Sequence, residues 1–154
     1  MLQLSQLQSK PSPRTPKAPD AGAEVVSVKR PTGVLRIKVL RSLSGRLFGP
    51  LSLNRTPANQ GLLILPCRSI HTFGLQTPSD VLFLDEDGRI LEIWARVAPW
   101  RKLRCADASA ALGLSAGIAG YAGLHEGERL RELSRIINPR RRTRRPVVEQ
   151  LSQL

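Results

Sequence analysis

Between Val34 and Val39, apolar and basic residues alternate. Leu35, Ile37 and Val39 fall on one face and Val34, Arg36 and Lys38 on the other, the period of a half-buried strand. Leu40, Leu43 and Leu47 then recur at spacings of three and four, which predicts a short helix or turn ending near Phe48. Pro50 and the stretch 54–60 read as loop. Leu62–Leu65 is a short apolar run closed by Pro66, the pattern of a buried strand. Val81–Leu84 and Arg89–Val97 flank Asp85-Glu-Asp-Gly88, a hairpin cue because glycine tolerates the positive φ of the turn. Asp107 is placed to cap a helix over Ala108–Leu112. Ser115 is placed to cap a second short helix to about Ala122, with Gly123 as its stop. Leu124 leads into a turn at His125-Glu-Gly127. Leu130, Leu133, Ile136 and Ile137 form a last apolar element, strand or helix.

A chain of 154 residues fits one domain. Pro11, Pro13, Pro16 and Pro19 exclude a helix from residues 1–30, which read as a disordered arm or an over-long start. Residues 31–138 read as a globular domain and 139–154 as a basic disordered tail. The pentapeptide QLSQL at 3–7 and 150–154 is no repeat architecture. The net charge of +12 is uneven: ten basic and two acidic side chains in 1–60, nine and nine in 61–138, five and one in 139–154. The flanks are therefore basic and the apolar middle neutral, so the overall charge alone does not make the core a nucleic-acid reader. The first residues lack the apolar stretch of a secretory signal, and no run has the length of a membrane span. The expected location is the cytoplasm, where Cys67 and Cys105 would be thiols.

The one Cys–His cluster is Cys67 with His71, with Cys105 later in the chain. Thiolate and imidazole ligate zinc or form a nucleophile pair. In an extended chain, however, Cys67 and His71 stand about 13 Å apart, too far to share an ion unless the chain turns after Pro66. Cys67 is thus read as a buried structural thiol. The Cys67, His71, Cys105 set stays a weak metal candidate, and no metal or other cofactor is expected. Ser69, His71 and Asp80 or Asp85 contain the residue types of a triad without a nucleophile elbow. Together with Thr72, His71 and Ser69 read as a polar cluster tying a loop to buried backbone. Asp80 enters a strand and needs a partner there, for which Arg68 or Arg101 is suited. Asp85–Asp87 lacks the calcium-loop series and reads as a solvated turn. Trp94 is read as core and Trp100 as a capping residue, with base stacking as the alternative for aromatics beside basic residues.

Pro66-Cys-Arg-Ser-Ile-His-Thr72 carries a resemblance. With Gly61-Leu-Leu-Ile, Asp80-Val-Leu-Phe-Leu-Asp85, Asp87-Gly88, Pro99-Trp-Arg101, Cys105, Ala110–Gly117 and Leu124-His-Glu-Gly127, the chain resembles domain-of-unknown-function family 192 over about Leu43 to Leu130. The resemblance implies a small, β-rich α+β domain of bacterial or archaeal type. It implies a curled, barrel-like antiparallel or mixed sheet, two or three short helices and no settled activity. Some members are exported, and this chain resembles those without a signal. At Leu75–Ser79 it departs from the family pattern, where members often carry Met-Arg and an apolar residue before the aspartate.

Three functions follow. The first is a non-enzymatic binding or interaction module with a cleft of Cys67, Arg68, Ser69, His71, Thr72, Asp80 and Arg101, and a protein or peptide as partner. The second is weak polyanion or nucleic-acid binding through Arg140, Arg141, Arg142, Arg144 and Arg145. The third is a metal- or thiol-dependent enzyme using Cys67 and His71. The first asks least of the sequence.

Overall fold

The alternating stretch at Val34 becomes the second strand of a six-stranded mixed sheet. In the computed structural model, the structure describes residues 24–41 and 57–140. Its strands are β1 (Val25–Arg30), β2 (Gly33–Arg41), β3 (Gln60–Leu65), β4 (Ser69–His71), β5 (Ser79–Leu84), β6 (Ile90–Val97), β7 (Lys102–Arg104) and β8 (Ala110–Ser115). Two helices follow, α1 (Ile118–Tyr121) and α2 (Arg131–Ile137). The main sheet has the order β1-β2-β3-β8-β5-β6, and β4 with β7 forms a separate two-stranded ribbon. Only β2 and β3 pair in parallel; the other pairs are antiparallel. The sheet is open, with β1 and β6 at its edges, rather than barrel-like.

Alternation along the central strands decides the layering, since successive side chains leave a strand on opposite faces. Leu63, Leu65, Leu82, Leu84, Leu112 and Leu114 face α1 and α2, with Ile37 and Val39 of β2 beside them. Leu62, Ile64, Val81, Phe83 and Ala111 face the other way, onto Ile70 and Leu103 of the ribbon. The sheet is thus filled on both sides, by helices on one and by the ribbon on the other. That explains why Leu62–Leu65 of β3 and Val81–Leu84 of β5 are apolar without alternation.

Several expectations need correction. Strand structure is already present at Val25, ahead of Val34: 25–30 is a strand instead of part of an arm. Arg30 supplies the reason. Its guanidinium pairs with both Glu128 oxygens and donates to the carbonyls of Ala122 (2.9 Å) and Gly123 (3.0 Å) at the end of α1. Residues 108–112 are not a helix but lead into β8. Ala110 and Ala111 favour a helix, yet β8 lies between β3 and β5, pairs with both and is buried along all but Ser115. A Cβ on Gly61 would come within 2.5 Å of Leu114 and 3.2 Å of the Gly113 carbonyl. Tertiary packing overrides propensity here. Ser115 lies in β8 and does not cap α1; Gly117 holds the N-cap position. The hairpin at Asp85–Gly88, the turn at His125–Gly127 and an apolar element at Leu130–Ile137 stand as expected, the last as a helix. The proposed helix or turn after Leu40 lies outside the described residues beyond Arg41.

Arg30 is largely buried against Glu128, with side chains 13% and 18% exposed. Replacing it with Ala leaves one carboxylate and two helix-end carbonyls short of a donor, an expected loss of about 2–3 kcal/mol in urea unfolding. Arg30→Lys keeps the charge but not the fork and should recover only part of that loss. A cost below about 0.5 kcal/mol would show that β1 is not anchored through this residue.

Candidate functional site

The ribbon has an inner and an outer face. Ile70 opposes Leu103, and both pack inward. Ser69 opposes Arg104 and His71 opposes Lys102, so these four share the outer face. Beyond His71 the chain reaches Thr72, which is buried, and Phe73, which is 41% exposed. His71 stacks on Phe73 with ring centroids 4.7 Å apart, and Phe73 stacks on Trp100 at 5.6 Å. Trp100 is 71% exposed. The outer face thus joins a row of three rings to Lys102 and Arg104, with Arg101 and Arg68 also exposed at the ribbon's ends.

Thr72 holds this arrangement. Its hydroxyl donates to the Ala98 carbonyl (2.8 Å) and accepts from the Arg101 amide (2.8 Å). Its own amide donates to the Arg101 carbonyl (2.8 Å), and its carbonyl accepts from the Trp100 amide (3.1 Å). One buried residue therefore clamps the turn 98–101 by four bonds. The turn places Pro99 before Trp100, and Trp100 sits at φ 64°. Proline followed by a residue of positive φ is the type II pattern, in which the second position ordinarily belongs to glycine. A tryptophan there costs roughly 1–2 kcal/mol and persists only because the surrounding bonds over-determine it.

Asp80 does not belong to this surface. It is fully buried, and it lies on the helix side of β5, in phase with Leu82 and Leu84. Neither Arg68 nor Arg101 is its partner. One oxygen accepts from the Arg96 amide (2.8 Å) and the other from the Ala119 amide (2.9 Å). Arg96 sits at φ 52°, in a β6 bulge that puts an extra residue opposite β5. Ala119 is in the first turn of α1, whose cap residue Gly117 has no side chain to offer. Asp80 therefore closes a bulge and caps a helix at once.

The cysteines and His71 are not brought together. Cys105 follows β7 and its amide donates to the Arg68 carbonyl (2.9 Å), while His71 lies opposite Lys102 at the far end of the ribbon, about 10 Å along the strand. Both cysteines are free thiols, Cys67 half-buried and Cys105 buried. Among the described residues, no group of three His, Cys, Asp or Glu side chains is placed to hold a metal ion. Burial pushes the Cys67 thiol above the usual cysteine range. Burial also raises Cys105, and the neighbouring Glu92 carboxylate pushes it the same way. Neither is an activated thiolate. The triad composition also fails: Asp80 is engaged as above, and Asp85 accepts from the amides of Asp87 (2.8 Å) and Arg89 (2.9 Å) as the turn's own brace.

Of the residues expected to line one cleft, Ser69 and His71 form part of the outer face, Thr72 supports it, and Arg68 and Arg101 flank it. Cys67 lies at its edge with Sγ donating to the Ser69 carbonyl (3.2 Å), and Asp80 lies behind the sheet. Phe73, Lys102 and Arg104 stood outside the expected cleft, although the sequence set Phe73 and Trp100, in Pro99-Trp-Arg-Lys102 followed by Arg104, as the aromatic-and-basic alternative. Trp94 is no core residue: it is 46% exposed on edge strand β6, with Nε1 donating to Glu92 (2.8 Å). Trp100, expected in a capping role, stands largely in solvent. Arg140 is exposed. Arg141, Arg142, Arg144 and Arg145 lie outside the described residues. A groove of about 350 Å³ between the β1–β2 turn and α1, lined by Val34, Leu35, Ile118 and Tyr121 among others, belongs to the helix side.

The open, two-sided sheet with its ribbon defines an α+β domain of the uncharacterised kind. Residues 25–132 match DUF192, described as uncharacterized ACR, and the chain belongs to that family. The match starts earlier than Leu43, as β1 and β2 require. Among solved structures, a protein of unknown function from Novosphingobium aromaticivorans DSM 12444 is similar at 23% identity and TM-score 0.59, over 72% of this chain and 87% of that one. A protein from Sinorhizobium meliloti 1021, whose name suggests a transcription regulator, is similar at 21% identity and TM-score 0.61, over 73% and 95%. At these identities the likeness is one of fold. No curated protein matches the chain. Among the described residues no helix is long and apolar enough to cross a membrane.

Asp80→Ala should cost about 2 kcal/mol in denaturant unfolding, because it strands the buried Ala119 amide and the part-buried Arg96 amide. Asp80→Asn should cost less, since one oxygen still accepts. Equal stability of Asp80→Ala and wild type would remove the carboxylate from its bracing role.

Thiol titration gives a second check. At neutral pH both cysteines should react slowly in the native chain, and two thiols should appear on unfolding. The sign for stability follows from linkage: native thiols hold their protons to higher pH than unfolded ones, so stability is retained below about pH 8.5 and falls as pH rises beyond it. Rapid native labelling of either thiol at pH 7 would overturn this assignment.

Proposed function

We propose that the protein is a small non-enzymatic binding module whose recognition surface is the outer face of the β4–β7 ribbon. The observation that carries this is Trp100: a large aromatic side chain is held in solvent on a backbone conformation suited to glycine. Stability alone gives no reason for that choice. A buried tryptophan repays strain through the apolar area it removes from water, and this one removes little. Strain kept at an exposed aromatic points to use by a ligand.

The ligand is anionic on this reading. Lys102 and Arg104 project beside the rings, Arg101 and Arg68 flank them, and all four are exposed. The neutral core and basic ribbon separate the two tasks of folding and binding. A thiol or metal enzyme finds less support, because Cys67 is half-buried and Cys105 buried, burial raises both thiol pKa values, and Cys105 lies apart from His71. The finer expectations, a cytoplasmic location and an accessory contribution of the basic tail to anion binding, accompany the proposal.

Trp100→Gly separates a ligand-binding from a structural role. If Trp100 serves a ligand, relief of the positive φ offsets the lost Phe73 stack, and stability stays within about 1 kcal/mol of wild type. A structural tryptophan would cost about 3 kcal/mol or more on truncation. Chemical denaturation decides between them, and the larger loss would remove the carrying observation.

A further inference from the structure

We infer that the partner of the ribbon face is a single-stranded nucleic acid, bases stacked on the aromatic row and phosphates held by the cations beside it. This rests on the reading of that face as the recognition surface.

The face offers two kinds of contact side by side. His71, Phe73 and Trp100 form a stepped row with interplanar angles of 29° and 27°. Trp100 ends the row and is mostly open to solvent. A flat π-face presented in this way is complementary to another flat π-face. Lys102 and Arg104 stand two residues apart on the same face, a spacing of about 6.6 Å. Neighbouring phosphates of an extended strand are separated by a comparable step.

Partners of other chemistry satisfy only half of this surface. A neutral sugar would stack on the rings but leaves the cations without use. An acidic peptide would pair with the cations but brings few flat groups to the rings. A duplex carries phosphates, but its bases are already stacked inside it and have no free face. A single strand supplies both at once, which is how stacking platforms with basic grooves bind. Because every base has a π-face, binding by stacking is sequence-tolerant.

The test uses the full chain with Trp94→Phe, so that Trp100 is the sole tryptophan, and with the five arginines of 140–145 replaced by serine, so that the tail contributes nothing. Four probes are titrated: an oligothymidylate spanning the ribbon, a DNA duplex, inorganic polyphosphate and a poly-glutamate peptide. The oligothymidylate should quench Trp100 fluorescence and bind more tightly than the other three. Trp100→Gly, read by anisotropy of labelled oligothymidylate, should weaken it roughly ten- to a hundredfold and leave polyphosphate affinity unchanged. Lys102→Ala with Arg104→Ala should weaken both probes and reduce the salt slope by about 0.7 per cation removed.

Equal affinity for oligothymidylate and polyphosphate, indifferent to Trp100→Gly, would overturn the single-strand assignment and leave a simple anion surface. Preference for poly-glutamate or duplex would overturn it in favour of that partner. If no probe responds to any ribbon substitution, both this inference and the underlying reading of the face fall.

Discussion

A carboxylate buried in the middle of a sheet is an expense unless its oxygens are satisfied, and Asp80 meets that condition by serving two elements that lack acceptors of their own. The β6 bulge turns the Arg96 amide out of the ladder, and α1 begins at a glycine with no capping side chain. Both orphan donors meet at Asp80. The position of α1 relative to β6 is thereby coupled to β5, the strand with both neighbours, β8 and β6, on either side. Helices on one face and ribbon on the other can then pack against a sheet whose far end does not fray. Arg30 does the corresponding work at the other edge, joining β1 to the end of α1 and to Glu128.

Thr72 repeats this economy on the ribbon side. One side chain and one peptide unit satisfy four partners across the turn 98–101. Because the turn is held from within, its most exposed residue is not needed for holding it. Trp100 can therefore carry chemistry unrelated to folding, and its positive φ measures how firmly the clamp over-determines the backbone. The inner face of the ribbon, through Ile70 and Leu103, binds the ribbon to the core; the outer face takes no part in that packing.

Much of the fold was legible because periodicity reports burial. The alternation of β2, the apolar runs of β3 and β5 and the Asp-Gly hairpin all stand where the pattern puts them. Three things were not legible, each for a physical reason. Strand β1 looks like an arm because an edge strand needs one apolar face only, and Val28 is its one fully buried residue. Strand β8 looks like a helix because alanines follow a potential cap at Asp107, while its pairing with β3 and β5 on both sides is encoded by no local pattern. Asp80 looked like an arginine partner because its true partners are backbone amides distant in sequence, at Arg96 and Ala119.

The candidate site was half legible for a related reason. Ser69, His71, Thr72 and Arg101 were found from residue type, but residue type does not say which side of a sheet a side chain leaves. Only the register, with Ser69 opposite Arg104 and His71 opposite Lys102, separates the outer face from the core and sets Asp80 behind it. The same register separates the third member of the Cys–His set from the histidine: Cys105 and His71 lie at opposite ends of the ribbon. What the ribbon does bring together is rings and cations. The bonds that brace the fold, at Asp80, Arg30 and the Thr72 hydroxyl and peptide unit, run through none of those side chains.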